Sequence, residues 1–221
     1  MKKILLLSLC SIIGITLLAG CSDDGTPFSK KTYTADGTQI RQIRVDVRDR
    51  EIDVSLSEDD HIHIEYFEND KEYYEISVSD DAVLTMTAAA NKEWTDYIGG
   101  KTSAENRKIS LQIPDSLLET LDLSTTNEDI SLPALTVTGS ISVSSNGGNI
   151  AFDKLDAGKA LTFTAKNGNI SGAVAGSYED FAIVSEIKKG ESNLPANHDG
   201  GEKTLTVSCN NGDVSINFES K

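Results

Sequence analysis

From Leu121 to Phe218 apolar and polar residues alternate in short bursts that recur about every 20 positions. Five bursts align: Leu121, Leu123 and Thr125; Ile141, Val143 and Ser145; Leu161, Phe163 and Ala165; Phe181, Ile183 and Ser185; Leu205, Val207 and Cys209. Each trio shares one face of a strand, because successive side chains of an extended chain point to opposite faces. Its first two members are large and apolar and its third is small, so the interior narrows at that column, as at a corner. Five residues further on, Ile130, Ile150, Ile170 and Val214 start second short strands. The linkers before them carry Asn127, Asn146 with Gly147, Asn167 with Gly168, and Asn211 with Gly212, residues suited to tight turns. A unit this short cannot bury its own apolar face, so neighbouring units above and below must complete the core. The pattern predicts an all-β fold, a parallel β-solenoid (β-helix-like) with rungs of about 20 residues. The fourth rung departs from it: Lys188 and Lys189 replace Asn-Gly, and Gly190 falls in the isoleucine column. Asn197 to Lys203 lengthens the last return.

The first half holds a weaker copy. Ile43, Val45 and Val47 alternate and Ile52 follows, while Ile62 and Ile64 open another strand 19 residues after Ile43. Tyr74 to Ser79 and Val83 to Thr87 flank Asp80 and Asp81 as a hairpin. Residues 91–107 form an irregular insertion with Trp94, Tyr97, Gly99 and Gly100, before Ile109, Leu111 and Ile113 resume a strand. Residues 41–221 therefore read as a single β-solenoid domain.

The start of the chain is different. Lys2 and Lys3 precede an apolar run of 16 residues from Ile4 to Ala19, shorter than the ~20 a membrane-spanning helix needs. Leu18, Ala19, Gly20 and Cys21 then resemble a bacterial lipobox. The resemblance implies that residues 1–20 are a lipoprotein signal peptide, a helix removed by cleavage, and that Cys21 carries the lipid. Residues 21–40 are expected to be a tether. Cleavage removes Cys10 as well, leaving Cys209 as a single thiol on an inward column.

Charge narrows the function. The 221 residues carry 20 Lys and Arg against 35 Asp and Glu, a net charge of −15. Loss of Lys2 and Lys3 takes it to −17. Such an excess of acid argues against a nucleic-acid surface. No nucleophile elbow, phosphate-binding glycine loop or His-Glu-x-x-His occurs.

Leu111, Gln112, Ile113 and Pro114, followed by the repeated Asn-Gly-Asn-Ile turns, resemble the bacterial putative-adhesin domain family, often classed as a domain of unknown function. The resemblance spans roughly Ile43 to Phe218. It implies an extracytoplasmic β-solenoid, commonly lipid-anchored.

Candidate chemistry is sparse. His61 and His63 share a strand face with Glu65, yet two histidines on a polar face are the simpler reading and no metal site is expected. Glu58, Asp59 and Asp60, like Asp80 and Asp81, read as solvated acid, and the calcium nonapeptide pattern is missing. Ser142, Ser144, Thr162, Thr164, Thr206 and Ser208 should face outward on stacked strands. Segments that break the period are the places for ligand contacts, which singles out Trp94 and Tyr97, and His198 in the last loop. Trp94 could equally cap an open end of the stack. The expectation is a lipid-anchored, extracytoplasmic envelope protein acting as a non-catalytic interaction module. Its partners would be the membrane through Cys21 and an envelope protein or glycan, with no cofactor. Two alternatives stay open: a carbohydrate-active enzyme on a β-helix, and an accessory envelope-stress or sensor lipoprotein.

Overall fold

Where the alternation is strong, strands form, and their apolar faces meet between two sheets. The computed structural model of the protein describes residues 27–92, 102–115 and 118–220. Its first half carries β1 (Ser29–Asp36), β2 (Gln42–Asp46), β3 (Glu51–Leu56), β4 (His61–Glu68), β5 (Glu72–Val78), β6 (Val83–Ala90) and β7 (Lys108–Ile113). The second half opens with β8 (Thr120–Thr125), β9 (Ile130–Leu132), β10 (Leu135–Val137), β11 (Ser140–Ser145), β12 (Ile150–Ala157) and β13 (Ala160–Asn167). It closes with β14 (Ile170–Ala175), β15 (Phe181–Lys189), β16 (Asn197–His198), β17 (Lys203–Asn211) and β18 (Val214–Glu219). One sheet runs β1-β4-β7-β3-β9-β12-β14-β18, with β10 also on β12, and the other runs β16-β15-β17-β13-β11-β8-β2-β6-β5.

The centre is the stack that the periodicity predicts. Leu121, Ile141, Leu161 and Leu205 lie side by side in parallel strands, and so do Leu123, Val143, Phe163 and Val207. Across the interior Phe163 stacks on Phe152 with ring centroids 4.6 Å apart. The small column turns the corner: the Thr125 hydroxyl donates to the Arg50 carbonyl at 2.7 Å and Ser145 to the Glu128 carbonyl at 3.0 Å. Cys209 is a buried filler of that column, and burial pushes its thiol pKa up. Beside it runs an amide ladder. Asp129, Asn149 and Asn169 each accept, on the side-chain oxygen, the backbone N–H of the same corner one rung on, at 2.7–2.9 Å. Asp213 extends the ladder to the Glu191 N–H at 2.8 Å.

Both ends depart from the expected parallel solenoid. β17 pairs with β13, and β15 lies outside it, so the last rung of the chain is inserted under the one before it. β15 is also shifted by two residues from the alignment above. Ile183 sits beside Leu205, Ser185 beside Val207 and Lys189 beside Asn211. Alternation with a period of two is blind to a shift of two, so apolar pattern could not set this register. Glycine sets it. A Cβ at Gly168 would lie 2.1 Å from the Gly148 carbonyl oxygen, one at Gly212 2.2 Å from that of Gly168, and one at Gly190 2.1 Å from that of Gly212. Gly190 belongs to this close-packed column, and the fourth rung departs from the repeat elsewhere, with Ile187 beside Cys209 in the small column and Ser192 beside Val214 in the isoleucine column.

At the other end β2 is flanked by β8 and β6, and β3 by β9 and β7. The rung of residues 42–56 is therefore covered by that of β6 and β7. Antiparallel strands finish the sheets: β4 on β7 and β1 on β4, β5 on β6, and β16 on β15. The sheets are mixed, and β4, with Ile62 and Ile64, is a closing strand and not a rung. The expected hairpin around Asp80 and Asp81 is present as β5 and β6. From Ser29 onward the expected tether is instead an edge strand. Among the described residues no helix is long and apolar enough to cross a membrane, and the expected signal helix lies outside them.

Candidate interaction site

At the end formed by β1, β4 and β5, aromatic and charged side chains replace the aliphatic filling. Tyr33, Tyr66 and Tyr74 pack on the core from its open end. The rings of Tyr66 and Tyr74 meet edge to face, 5.2 Å apart. Arg50, at the corner between β2 and β3, is buried. Its Nε donates to the Tyr74 hydroxyl at 2.6 Å, one Nη to the Asp49 carbonyl at 3.1 Å, and the other to Glu72. Lys92 bonds Glu72 at 2.6 Å. A guanidinium withdrawn from water needs such a complement of acceptors, since an unmatched buried charge costs several kcal/mol.

Ionisation follows from this packing. Burial works against the charged form of Glu72, but hydrogen bonds from Lys92 and Arg50 outweigh it and hold the carboxyl below its usual range. Burial, with the nearby Glu68 carboxylate, pushes Tyr66 up to about 12. Tyr74 is raised by burial against the opposing pull of Arg50. Burial likewise raises Tyr33, whose hydroxyl has no hydrogen-bond partner among the described residues.

Where the β4–β5 turn bridges the two sheets, a cleft of about 380 Å³ opens. Ser29 and Lys31 of β1 form one wall, Tyr73 and Tyr74 of β5 the other, and Glu68, Asn69 and Asp70 the rim. The Asn69 side chain makes the turn by accepting the backbone N–H groups of Lys71 and Glu72 at 3.0 and 2.8 Å. The Tyr73 ring is exposed, whereas Tyr74 is held by Arg50 and Tyr66.

The residues singled out in the sequence are scattered. Cys21, Trp94 and Tyr97 lie outside the described residues. His198 lies on β16 at the opposite end, its ring 4.2 Å from Tyr178 and its Nε2 3.7 Å from the Glu179 carboxylate. In strand order β16 stands seven steps from β6, whose end leads into the Trp94 insertion, about 33 Å at ordinary strand spacing. His61 and His63 face outward on β4. Asp59 takes the His63 Nε2 at 3.0 Å, the Thr34 hydroxyl meets its Nδ1 at 3.2 Å, and Glu65 is occupied by Lys30 at 2.9 Å. The Ser and Thr ranks do face outward, in register from strand to strand. Periodicity missed Arg50, Glu72 and the tyrosines, which obey no repeat. One signal was present: four of the six tyrosines, at 33, 66, 73 and 74, precede Trp94.

Fold and cleft together define a stacked-rung, all-β module with a parallel centre and antiparallel ends. The chain belongs to the Toastrack DUF4097 family, whose model matches residues 40–219. This agrees with the resemblance to the putative-adhesin domain family read from the turns. No curated protein matches the sequence. Among solved structures, a "putative cell adhesion protein" from Clostridium sporogenes superposes with a TM-score of 0.56 at 10% identity, covering 87% of this chain and 100% of that one. A "putative adhesin" from Bacteroides fragilis gives 0.31 at 10% identity, covering 86% and 97%. One from Parabacteroides distasonis gives 0.30 at 15%, covering 86% and 97%. The first likeness supports the fold.

Proposed function

We propose that this protein is a lipid-anchored, extracytoplasmic module that binds an envelope component without catalysis, using the tyrosine-lined end of its stack. The observation that carries this reading is the cleft beside the Arg50–Glu72–Lys92 network. It is a preorganised site with one exposed aromatic ring at the end of the stack. The lipobox-like Leu18 to Cys21 supports attachment at the N-terminus, and β1, the first strand, forms one wall of the cleft. On this reading the cleft end faces the anchor. Trp94 and Tyr97 stay in the proposed contact set on sequence grounds, since Lys92, which bonds Glu72, precedes Trp94 by two residues. His198 leaves it, being at the far end. The description of the Clostridium sporogenes protein as a "putative cell adhesion protein" accords with the reading.

Two measurements test it. Cys21→Ala should move the protein from the membrane to the soluble fraction in cells, and unchanged membrane retention refutes the anchor. The purified domain should sediment with isolated cell envelopes. Tyr73→Ala should weaken that retention about tenfold, while Val184→Ala, an exposed site at the opposite end, should not change it. Equal retention of the two variants refutes the site.

A further inference from the structure

Resting on that reading of the cleft, we infer that its ligand is a neutral carbohydrate, one to a few sugar rings lying against the Tyr73 face. The chemistry of the walls carries this. Lys31 supplies donors, the Ser29 hydroxyl, which donates to the Glu68 carbonyl at 3.3 Å, supplies an acceptor, Glu68 and Asp70 supply carboxylate acceptors, and Tyr73 supplies both an exposed ring and a hydroxyl. Vicinal sugar hydroxyls need this mixture, because each hydroxyl both donates and accepts. The apolar C–H face of a sugar ring is matched by the aromatic face. Other ligand classes fit less well. An anion would meet Glu68 and Asp70 and the general negative field of a chain carrying −15. A cation would meet Lys31, whose ammonium already lies 4.0 Å from Glu68. An apolar ligand would strip water from a lysine and two carboxylates.

The size agrees, since about 380 Å³ lies at the small end of the ~300–1,000 Å³ range of small-molecule sites. The cleft is also rigid where it needs to be. Tyr74 beneath it is fixed by Arg50 and Tyr66, and the rim is fixed by the two hydrogen bonds that Asn69 accepts. Little ordering is left for binding to impose.

The test is an NMR titration of the purified domain with tri-N-acetylchitotriose, cellotriose, maltotriose and mannotriose, with trilysine and a pectic trigalacturonate as charged controls. At least one neutral trisaccharide should give saturable amide shifts centred on residues 29–31 and 68–74, and neither charged oligomer should. Tyr73→Ala should weaken that binding about tenfold, the 1.4 kcal/mol of one aromatic contact, with the melting temperature nearly unchanged. Asp70→Asn should weaken it less, through the acceptor alone. No binding by any of the four sugars overturns the inference, as does binding that Tyr73→Ala leaves intact. Envelope retention that is weakened in Tyr73→Ala without any sugar binding overturns the ligand class and leaves the interaction site standing. Stronger binding of trilysine would reassign the cleft to a cationic partner.

Discussion

Arg50→Met tests whether the end of the stack is held by a buried ionic network or is merely covered by one. The Arg50 side chain is 6% exposed and that of Glu72 is 18% exposed, so their contact is largely out of solvent. Breaking one partner of a buried pair typically costs about 3–5 kcal/mol. The low end applies here, because Lys92 remains 2.6 Å from Glu72 and keeps that carboxylate compensated. Methionine preserves most of the stem's packing, so the loss is electrostatic. We expect about 3 kcal/mol, which for a domain of this size lowers the melting temperature by roughly 6–12 °C. In urea the midpoint should fall with an unchanged m-value. Glu72→Gln alone should cost less, and the double variant should be little worse than Arg50→Met, giving a coupling energy of about 1–3 kcal/mol. The network also predicts a spectroscopic change. Arg50 opposes the effect of burial on Tyr74, so its removal should move the tyrosinate transition of that ring to still higher pH. A cost under about 0.5 kcal/mol, the scale of a surface substitution, together with zero coupling, refutes the argument.

Three further predictions address the stack and its closing strands. Phe163→Ala empties a fully buried site stacked on Phe152 and should cost about 3–5 kcal/mol by urea unfolding; a near-neutral result would place Phe163 outside the core. Gly190→Ala drives a Cβ to 2.1 Å from the Gly212 carbonyl oxygen, at a φ of 132°, and should cost about 1–3 kcal/mol. A neutral or stabilised Gly190→Ala protein would return Gly190 to the apolar column and undo the two-residue shift of β15. Asp59 is held down to about 2 by the N–H of His61, the ring of His63 and the Ser57 hydroxyl. A depressed carboxylate stabilises the fold fully above its unfolded value of 3.8 and loses that contribution as the pH falls toward about 2. The stability difference between the parent and Asp59→Asn should therefore be present at neutral pH and vanish across that window, and a difference that persists at the acid end contradicts the assignment.

What the sequence settled by itself was everything that depends on period. The trios at Leu121, Ile141, Leu161 and Leu205, the Asn-Gly corners and the hairpin at Asp80 are local patterns, and each rung needs only to know which of its faces is apolar. That suffices for an all-β class, for parallel stacking in the centre and for the small column at the corner. Spatial order at the ends was not legible. Any rung presents the same apolar edge to any other, so nothing in the pattern of Phe181 to Ser185 says that Leu205 to Cys209 will lie inside it. The close backbone approach of Gly168, Gly212 and Gly190 and the amide ladder through Asp213 decide that order, and they exist only once the rungs are stacked. The candidate site was hidden for the same reason. Arg50 comes from a corner and Glu72 and Tyr74 from an edge strand, and the pairing of β2 with β6, which carries β5 on its far side, is what brings them within hydrogen-bonding distance. A repeat determines the interior because every copy meets the same neighbours; an end meets none, and what covers it is settled by which side chains the last strands carry into reach.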